Sequence, residues 1–408
     1  MRSLSAPRLL FVIVLFFSVH FGATAQKQVA ASSSEILHAM KRLNVLGTVM
    51  YIAAHPDDEN TRLLAYMARD RNYKTAYLAM TRGDGGQNLI GDEQGIELGL
   101  IRTQELLAAR RVDGAEQFFT RAYDFGFSKR TEEALAMWDK QKVLADAVWV
   151  IRNFKPDVII TRFPEDSRAG HGHHSGSAVI AREAFVAAAD PKMFPEQFKS
   201  GVGPWKARRI MWNTFSFGSS NTTAENQLKI DAGSYIPLMG KSIGEIAAEG
   251  RSQHRSQGFG SASTRGSATE YFIHTLGEKA EKDPMDGVDC SWSRVEGGSV
   301  VNALVNQLVE TYSVNDPSAS LPQLIAVRKA IQAIGDVHWK RIKLGEIDKL
   351  IQLAAGLHLE ALADRSLVKQ GDSIRVNVLF NNRAGAEINI GEISFENTTT
   401  ETEKSAKN

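Results

Sequence analysis

The sequence predicts an α/β fold: a Rossmann-like, mostly parallel sheet with helices packed on both faces. Two observations lead to this prediction. The run LGTVMYIAA (46–54) is almost unbroken in its apolar character, and PDVIITRF (156–163) has an apolar centre, as is typical of parallel strands covered on both faces. Such runs alternate with segments of helix length, as in repeated βαβ units. Right-handed crossovers would place those helices on both sides of the sheet.

The individual elements follow in chain order from these apolar patterns. Strands are expected at 46–54, 74–83, within 115–125 and at 156–163. Helices are expected at 60–71, 96–112, 131–154 and 173–189. Each expected helix can lead the chain back across the sheet to the next parallel strand. We therefore assign one α/β domain to residues 44–290.

Residues 296–356 are expected to form a helical region that packs on or beside the α/β domain. Apolar residues recur there at helical spacing in three segments, for example Val301, Val305 and Leu308 in the first. The third segment ends at Gly356, a residue suited to the left-handed conformation that often terminates a helix.

Residues 357–408 are expected to form an incomplete β-sandwich followed by a polar tail. The segment SIRVNVLF (373–380) alternates apolar and polar residues, and EINIGEISF (387–395) supplies two further short strands. About 50 residues remain after the helical region, whereas a complete sandwich of the immunoglobulin kind has ~100. We therefore expect strand edges without partners, in a fragment that is poorly packed or docked on the helical region.

The first 25 residues have the pattern of a secretory signal peptide. Arg2 and Arg8 precede an apolar run at 9–21, and Ala23-Thr24-Ala25 has the small residues of a cleavage site. The apolar run is shorter than the ~20 residues that span a bilayer. We expect cleavage to release an exported protein, periplasmic or secreted, with no stable membrane anchor. An uncleaved anchor is the alternative.

Composition and charge exclude several classes of function. The 408 residues are 43% hydrophobic and 23% charged, as in an ordinary soluble globular protein, and the formal net charge is only +1. Such a balance argues against a nucleic-acid-binding protein and against binding to an anionic membrane. Cys290 is the single cysteine, so neither an internal disulfide nor a cysteine-based zinc site can form.

Four polar loops follow the expected strands and would meet at one edge of the sheet. Open α/β sheets bind their ligands at the carboxyl ends of the strands, which is where these loops lie. The loops are HPDDE (55–59), TRGDGGQN (81–88), YDFG (123–126) and PEDSRAGHGHHSG (164–176). Their concentration of ionisable residues indicates a functional site.

The histidines and carboxylates of two of these loops suit a divalent metal ion. A catalytic zinc site takes three His or Asp/Glu ligands and leaves a position for water. His55 and Asp58 are close enough in sequence to bind one ion. The third ligand would come from the last loop, which offers His171, His173 and His174. The last of these is the better anchored, because it begins the following helix.

Several ordered motifs resemble those of the LmbE/PIG-L superfamily of zinc-dependent N-deacetylases. They are AHPDDE, LAMTRGDGGQN, IRTQELLAARRVDGAEQFF and a later His-x-x-His, within residues 44–275. The resemblance implies a Zn²⁺ ion, or another divalent metal, bound by His55, Asp58 and His174. It also implies that Asp57 is the general base and that His171 assists the tetrahedral intermediate.

Other loop residues are candidates for binding the substrate or the developing oxyanion. Arg82 is a candidate oxyanion donor, unless it forms an ion pair with a neighbouring acid. Asp84 and Asp124 are candidates for binding sugar hydroxyls, with turn capping as the alternative role. His254 lies in a segment that resembles a His-x-Ser-Gln element of the family. Glu59 is expected to start the helix after the first loop.

The sequence departs from the superfamily pattern at two positions near His171. The second motif of the family usually reads His-Pro-Asp-His, and His173 stands here in place of the Asp that would orient the leading histidine. Some members carry a Tyr two residues before the leading histidine, where this chain has Ala169. These departures leave the arrangement around His171 open.

The resulting prediction is an exported metal-dependent hydrolase that removes an acyl group, chiefly acetyl, from an amino sugar or a related glycoconjugate. Its partner would then be an N-acetylated sugar or glycan. Three alternatives stay open: a zinc amidase or peptidase acting on cell-wall peptides, a glycan-binding protein with a vestigial site, and a non-haem iron oxygenase with His and carboxylate ligands. The oxygenase is disfavoured because its site normally lies in an all-β double-sheet barrel.

Overall fold

The computed structural model describes residues 31–217, 220–258, 260–389 and 391 of the chain. The strands in chain order are β1 (Thr48–Ala53), β2 (Lys74–Ala79), β3 (Glu116–Phe119), β4 (Val158–Thr161), β5 (Arg209–Thr214), β6 (Ser216–Phe217), β7 (Ser220–Asn221), β8 (Leu228–Asp231), β9 (Tyr235–Ile236), β10 (Lys241–Ser242), β11 (Thr269–Gly277), β12 (Leu357–Ala363) and β13 (Val376–Asn382). The α-helices are α1 (Ser33–Arg42), α2 (Thr61–Ala65), α3 (Ile96–Asp113), α4 (Thr131–Met137), α5 (Lys140–Phe154), α6 (Gly172–Ala189), α7 (Ile243–Arg251), α8 (Gly298–Thr311), α9 (Leu321–Ala333) and α10 (Val337–Ala354). Residues Tyr66–Asp70 continue α2 as a π-helix.

Among the described residues, seven strands form one sheet in the order β3-β2-β1-β4-β5-β11-β8. The first five run parallel to one another, and β11 and β8 add antiparallel pairings, so the predicted mostly parallel α/β fold is confirmed. The chain passes from β1 outward to β2 and β3, and then returns to place β4 on the other side of β1. The boundary between β1 and β4 is thus the switch point at which open α/β sheets bind their ligands.

Helices cover both faces of the sheet, because alternate residues of β1 pack on opposite sides. Val49, Tyr51 and Ala53 belong to one apolar core, which they share with residues of α2, α3 and α7. Met50 and Ile52 belong to a second core, which they share with α5 and α6. All six residues of β1 are buried, which accounts for the unbroken apolar run in the sequence.

The helices α8, α9 and α10 form the predicted helical region, and Gly356 ends it with a φ of +63°. This region is attached to the chain just before β1. Lys343 Nζ donates to the backbone oxygens of Arg42 and Val45, over 3.1 and 2.8 Å. The indole N–H of Trp292 donates to Leu43 O over 3.1 Å. These contacts fasten the helical region to the amino end of the central strand.

Two parts of the structure differ from the expectation. The single helix expected at 131–154 is divided into α4 and α5, because the buried Trp138 turns the chain by donating to Tyr123 O, and Asp139 adopts a φ of +56°. Near the C-terminus, β12 and β13 pair as an antiparallel hairpin, and β12 was not predicted. The predicted signal peptide at 1–25 and the larger part of 387–395 lie outside the described residues.

Within the part of the chain that the structure describes, none of the helices has both the length and the apolar character needed to cross a bilayer.

Candidate metal centre and active site

The two predicted metal-binding loops meet at the switch point of the sheet. His55 lies two residues beyond β1, and its backbone N–H donates to Asp58 Oδ2 over 2.7 Å, which folds the loop back on itself. His171 precedes α6, and His173 and His174 lie in the first turn of that helix. Because β1 and β4 are neighbours, the two loops leave the sheet at the same edge.

Asp58 connects the other two predicted ligands. Its Oδ2 lies 3.0 Å from His55 Nδ1, and its Oδ1 lies 3.4 Å from His174 Nε2. Burial alone would raise the pKa of Asp58, but the two histidines hold it well below its usual value. The structure therefore brings together the three side chains that the family resemblance implies as metal ligands.

The three consecutive carboxylates of HPDDE have different counter-charges. Asp57 pairs with Arg102 at 3.0 Å, and Glu59 pairs with Arg110 at 3.2 Å. Among the described residues, Asp58 forms ion pairs with His55 and His174 alone. A carboxylate withdrawn from water needs an opposite charge nearby. Burial alone would lower the pKa of His55, but Asp58 raises it, so a protonated His55 ring can supply that charge. When both imidazoles are neutral, they do not. A divalent cation between these three side chains would supply that charge.

His174 is held in the tautomer that metal binding requires. Its Nδ1 donates to Ala169 O over 2.8 Å, so Nε2 carries the lone pair that faces Asp58. Its ring stacks on Phe163, with the ring centres 3.7 Å apart and the planes 5° from parallel. A hydrogen bond from the outer nitrogen to a carbonyl is the usual arrangement behind a metal-bound histidine.

His55 has an equivalent arrangement behind it. Its Nε2 lies 3.1 Å from His173 Nδ1 and 3.7 Å from Asp124 Oδ2, so that nitrogen is occupied on the side away from Asp58. The donor set of two histidines and one carboxylate, with both outer nitrogens partnered, fits a divalent metal such as Zn²⁺.

Among the described residues, two triplets of side chains bring possible ligand atoms within 4.8 Å of one another, and neither triplet includes Asp58. They are His55 with His171 and His174, and His55 with Asp124 and His173. All three members of the second triplet are buried, and His173 stacks on Trp138 with 4.9 Å between ring centres. His173 therefore supports His55 and does not orient His171, as the Asp of the family motif would. His171 is instead placed by its neighbour Ser128, whose Oγ lies 3.3 Å from Nδ1.

Asp57 adopts a φ of +92°, a conformation that is unusual for a residue other than glycine. Three groups hold it there. Arg102 Nη2 donates to the carboxylate Oδ1 over 3.0 Å, Glu59 Oε2 accepts from the backbone N–H over 2.9 Å, and Arg251 donates to the backbone oxygen. Burial raises the pKa of Asp57, and the charge of Arg102 opposes that effect. The carboxylate lines the cavity described below.

Glu59 and His254 form a buried pair with each other, an arrangement that the sequence does not predict. Helix α2 begins at Thr61 with Asn60 as its cap, so Glu59 does not start it. Glu59 Oε1 instead lies 2.7 Å from His254 Nε2. Burial alone would raise the pKa of Glu59, but His254 and Arg110 lower it to about 2. The side chain of His254 is fully buried against Glu59, and His254 is not among the residues that line the cavity described below.

A cavity of about 790 Å³ opens beside the metal-binding cluster. Asp57, Asp58, His171 and His174 line it. The lining also includes Arg62, Arg162, Arg168, Phe215 and Glu270, and we call these five residues the arginine wall. The volume is within the range of pockets that bind small molecules.

Three predicted substrate or oxyanion contacts are not among the residues that line this cavity. The guanidinium of Arg82 lies over the Phe119 ring, 4.2 Å from its centre. The Asp84 carboxylate lies against Gly99 in α3. Asp124 is buried beside His55, and its Oδ1 also accepts from the Gly126 N–H over 2.9 Å, which is the turn-capping alternative.

Two arginines at the site, Arg102 and Arg162, are not predicted from the sequence. Arg102 lies in α3, eight residues before Arg110, which places both on the face that packs against the HPDDE loop. The sequence does contain a signal for Arg102, because two arginines eight residues apart lie on the same face of one predicted helix. Arg162 directly follows β4 and was read as the end of an apolar strand.

The chain resembles known proteins over this same region. A profile of the family described as PIG-L, GlcNAc-PI de-N-acetylase, matches residues 50–185. A 1D-myo-inositol 2-acetamido-2-deoxy-alpha-D-glucopyranoside deacetylase of Geodermatophilus obscurus is 31% identical over 181 residues, which are 40% of this chain and 60% of that protein. A mycothiol S-conjugate amidase of Streptomyces coelicolor is 29% identical over 203 residues, which are 46% of this chain and 68% of that protein. The chain thus spans 60% of the length of the first of these relatives.

A solved structure, the N,N'-diacetylchitobiose deacetylase from Pyrococcus horikoshii, is 18% identical with a TM-score of 0.38, over 63% of this chain and 82% of that one. A likeness of that degree carries no argument about activity. The matched range 50–185 contains His55, Asp57, Asp58, His171 and His174. Residues 50–185 therefore resemble the PIG-L (LmbE-like) family, and the His–Asp cluster lies within that range.

Proposed function

We propose that the protein is a metal-dependent deacetylase that hydrolyses the acetamide group of an N-acetylated amino sugar, with Zn²⁺ as its metal. The observation that carries the proposal is the Asp58 carboxylate, which is only 13% exposed, faces His55 and His174 and lines a cavity. Such a cluster suits one divalent cation with an open position. The name of the Geodermatophilus obscurus relative, a deacetylase of a 2-acetamido sugar, supports the same substrate class.

Asp57 is the residue best placed to move protons. A metal ion in this site would polarise the amide carbonyl and lower the pKa of a water molecule. Asp57 would accept a proton from the attacking water and return it to the departing nitrogen. Arg102 holds one carboxylate oxygen, and burial raises the pKa of the group, which suits a carboxylate that must carry the proton for part of the reaction.

His171 is placed to stabilise the negative charge that develops on the carbonyl oxygen. It lines the cavity, and its ring centre lies 3.7 Å from that of His174. Burial and the neighbouring His174 and His55 lower the pKa of His171 to about 3, so it is a neutral imidazole at pH 7. When the Ser128 hydroxyl donates to Nδ1, the Nε2–H is left free to donate to the oxyanion.

The test is acetate release by the purified full chain. Substrates would be N-acetylglucosamine, its β-1,4-linked disaccharide and N-acetylglucosaminyl-inositol. We expect one acetate per free amine, loss of turnover on chelation, and recovery on adding Zn²⁺. The variant Asp57→Asn should lose turnover, and the matched control is Asp146→Asn, since Asp146 lies on α5 in a pair with Arg121 and does not line the cavity. Zinc binding without turnover of any sugar would reject the proposal and favour a glycan-binding protein.

A second candidate is an amidase that hydrolyses an amide bond other than an acetamide, and the Streptomyces coelicolor relative is named as an amidase. Turnover of glucosamine derivatives that carry an acetyl, a butyryl or a cysteinyl group on the nitrogen distinguishes the deacetylase from the amidase. Faster turnover of the cysteinyl derivative would favour the amidase.

We also propose export of the protein, because residues 1–25 have the pattern of a signal peptide. N-terminal sequencing of the mature protein tests this, and a start near Gln26 is expected.

A further inference from the structure

We propose that Arg162, one residue of the arginine wall, binds an anionic group, a carboxylate or a phosphate, carried by the sugar substrate. The proposal rests on the proposed function, because the acetamide of the same sugar must lie at the metal-binding cluster. Arg162 is the residue that would bind the anion.

The charges of the wall leave Arg162 without an acidic partner. Arg168 pairs with Asp166 at 2.7 Å, and Arg62 Nη1 lies 4.0 Å from Glu270 Oε1. Among the residues that the structure describes, none places a carboxylate oxygen within 4.0 Å of the Arg162 guanidinium. Among the described residues, the Arg162 charge therefore has no ion-pair partner within 4.0 Å, and Glu270 acts on it only at longer range.

Glu270, the acid of the wall, is directed toward other groups. Its Oε2 accepts from Asn60 Nδ2 over 2.7 Å and from Asn213 Nδ2 over 3.1 Å, and its Oε1 faces Arg62. These contacts hold Glu270 in place. Arg162 interacts with Glu270 only at longer range and with the Tyr51 hydroxyl, so its guanidinium has no carboxylate within 4.0 Å.

Arg162 is held in position before any ligand binds. Its backbone N–H donates to Ile52 O over 3.0 Å, which continues the pairing of β4 with β1. Its backbone oxygen accepts from the indole N–H of Trp212 over 3.2 Å. The guanidinium carbon lies 4.7 Å from the centre of the Phe215 ring. A planar guanidinium held in this way binds a carboxylate or phosphate through two parallel hydrogen bonds.

The subsite adjoins the reaction centre. Phe163, the next residue, stacks on the predicted metal ligand His174, and Arg162 and His174 line the same cavity. The cavity, at about 790 Å³, leaves room for a substituent beyond the sugar ring. An N-acetylated sugar with a phosphate ester or an acidic ether would therefore place its anion on Arg162 while its acetamide faces Asp57 and Asp58.

The experiment compares neutral and anionic sugars on the zinc-loaded full chain. The turnover arm measures kcat/KM for N-acetylglucosamine, for its 6-phosphate and for N-acetylmuramic acid, which separates phosphate from carboxylate. The binding arm measures calorimetric affinity for glucosamine and for glucosamine 6-phosphate, and it needs no turnover. The variants are Arg162→Gln and, as matched control, Arg168→Gln, which removes the same charge from the same wall at a residue already paired with Asp166.

We expect the wild type to prefer at least one anionic sugar over its neutral partner by about 10- to 100-fold, the size of a charge-assisted hydrogen-bond pair. In Arg162→Gln this ratio should fall to near one, whereas Arg168→Gln should retain it. The proposal would be overturned if the wild type had equal kcat/KM and equal affinity for the neutral and the anionic sugars. An Arg162→Gln variant that slows both sugars by the same factor would also overturn it, because that result assigns Arg162 to the transition state. If the chain turned over none of the sugars but still bound glucosamine 6-phosphate more tightly than glucosamine, the proposed deacetylase activity would be rejected. The proposed anion subsite would be retained.

Discussion

At the scale of single residues, three adjacent carboxylates have separate tasks because each meets a different partner. Asp57 pairs with Arg102, and Asp58 pairs with two histidines. Glu59 pairs with Arg110 and His254. The positive φ of Asp57 is retained because surrounding groups hold both its backbone and its carboxylate. Strained backbone of this kind persists where the fold over-determines it, commonly at active sites.

The first prediction separates the two aspartates by the same substitution. Asp58→Asn removes the charge between His55 and His174 and should greatly weaken zinc binding, with activity lost through loss of metal. Asp57→Asn should retain the metal and lower kcat by about 10²–10⁴-fold, the usual contribution of a general base. Metal content and kcat of both purified variants decide the matter. Equal loss of metal in the two variants would contradict these roles.

The second prediction concerns His173, which supports His55 from behind. His173→Phe should keep the packing against Trp138 but remove the contact with His55 Nε2. We expect metal affinity to fall by about 10–100-fold, as for other residues that orient a metal ligand. Stability should change little, since His173 Nε2 has no hydrogen-bond partner among the described residues. Competition with a zinc indicator measures the affinity, and an unchanged value would exclude the supporting role.

At the scale of elements, a buried charge network ties the HPDDE loop to α3 and to the segment after α7. Arg110 on α3 pairs with Asp113 and with Glu59, and Glu59 contacts His254. Burial raises the pKa of Asp113, and the charge of Arg110 opposes that effect. Removing one member of such a network leaves the others buried without a partner, which is strongly destabilising.

The third prediction compares a buried arginine with an exposed one. Arg110→Met should lower the free energy of unfolding by about 3–5 kcal/mol, because Asp113 and Glu59 lose a buried counter-charge. The control Arg121→Met breaks an exposed pair with Asp146 and should cost at most about 1 kcal/mol. Urea unfolding of both variants gives the comparison. Similar losses of unfolding free energy in the two variants would show that the buried network contributes no more to stability than an exposed ion pair.

At the scale of the whole molecule, the helical region and the C-terminal hairpin differ in how they are attached. Val301, Val305 and Leu308 are fully buried, and Lys343 bonds to the chain before β1. The hairpin of β12 and β13 instead leaves Leu359 60% and Phe380 38% exposed. An isolated two-stranded hairpin contributes little stability of its own.

The fourth prediction follows from this difference. A chain that ends after residue 356 should unfold within a few degrees of the full chain, because it retains the buried contacts of α8 to α10. A chain that ends after residue 296 should be far less stable, because α1 loses the helices against which it packs. Differential scanning calorimetry of both truncations provides the measurement. Amides of β12 and β13 should also exchange quickly with deuterium, and full protection would contradict the weak packing.

Local patterns in the sequence were enough to predict the α/β fold, the edge of the sheet at which the site lies, and the loops that meet there. Buried parallel strands must be apolar throughout, and the loops at their carboxyl ends must carry the polar chemistry, so both leave a readable signal. The His-Pro-Asp-Asp and His-x-x-His motifs carried the family resemblance, and the structure brings His55, Asp58 and His174 together.

Only the tertiary structure decided which of the remaining polar residues face the cavity. His254 and Asp124 are buried as partners of other side chains, Arg82 lies over an aromatic ring, and Arg162 lines the cavity from a position that reads as the end of a strand. The direction of a side chain depends on neighbours that are distant in sequence, such as Arg102 and Arg110 for the HPDDE loop, and no local pattern records those distances. The pairing of charges across the fold therefore determined the roles that residue type alone left open.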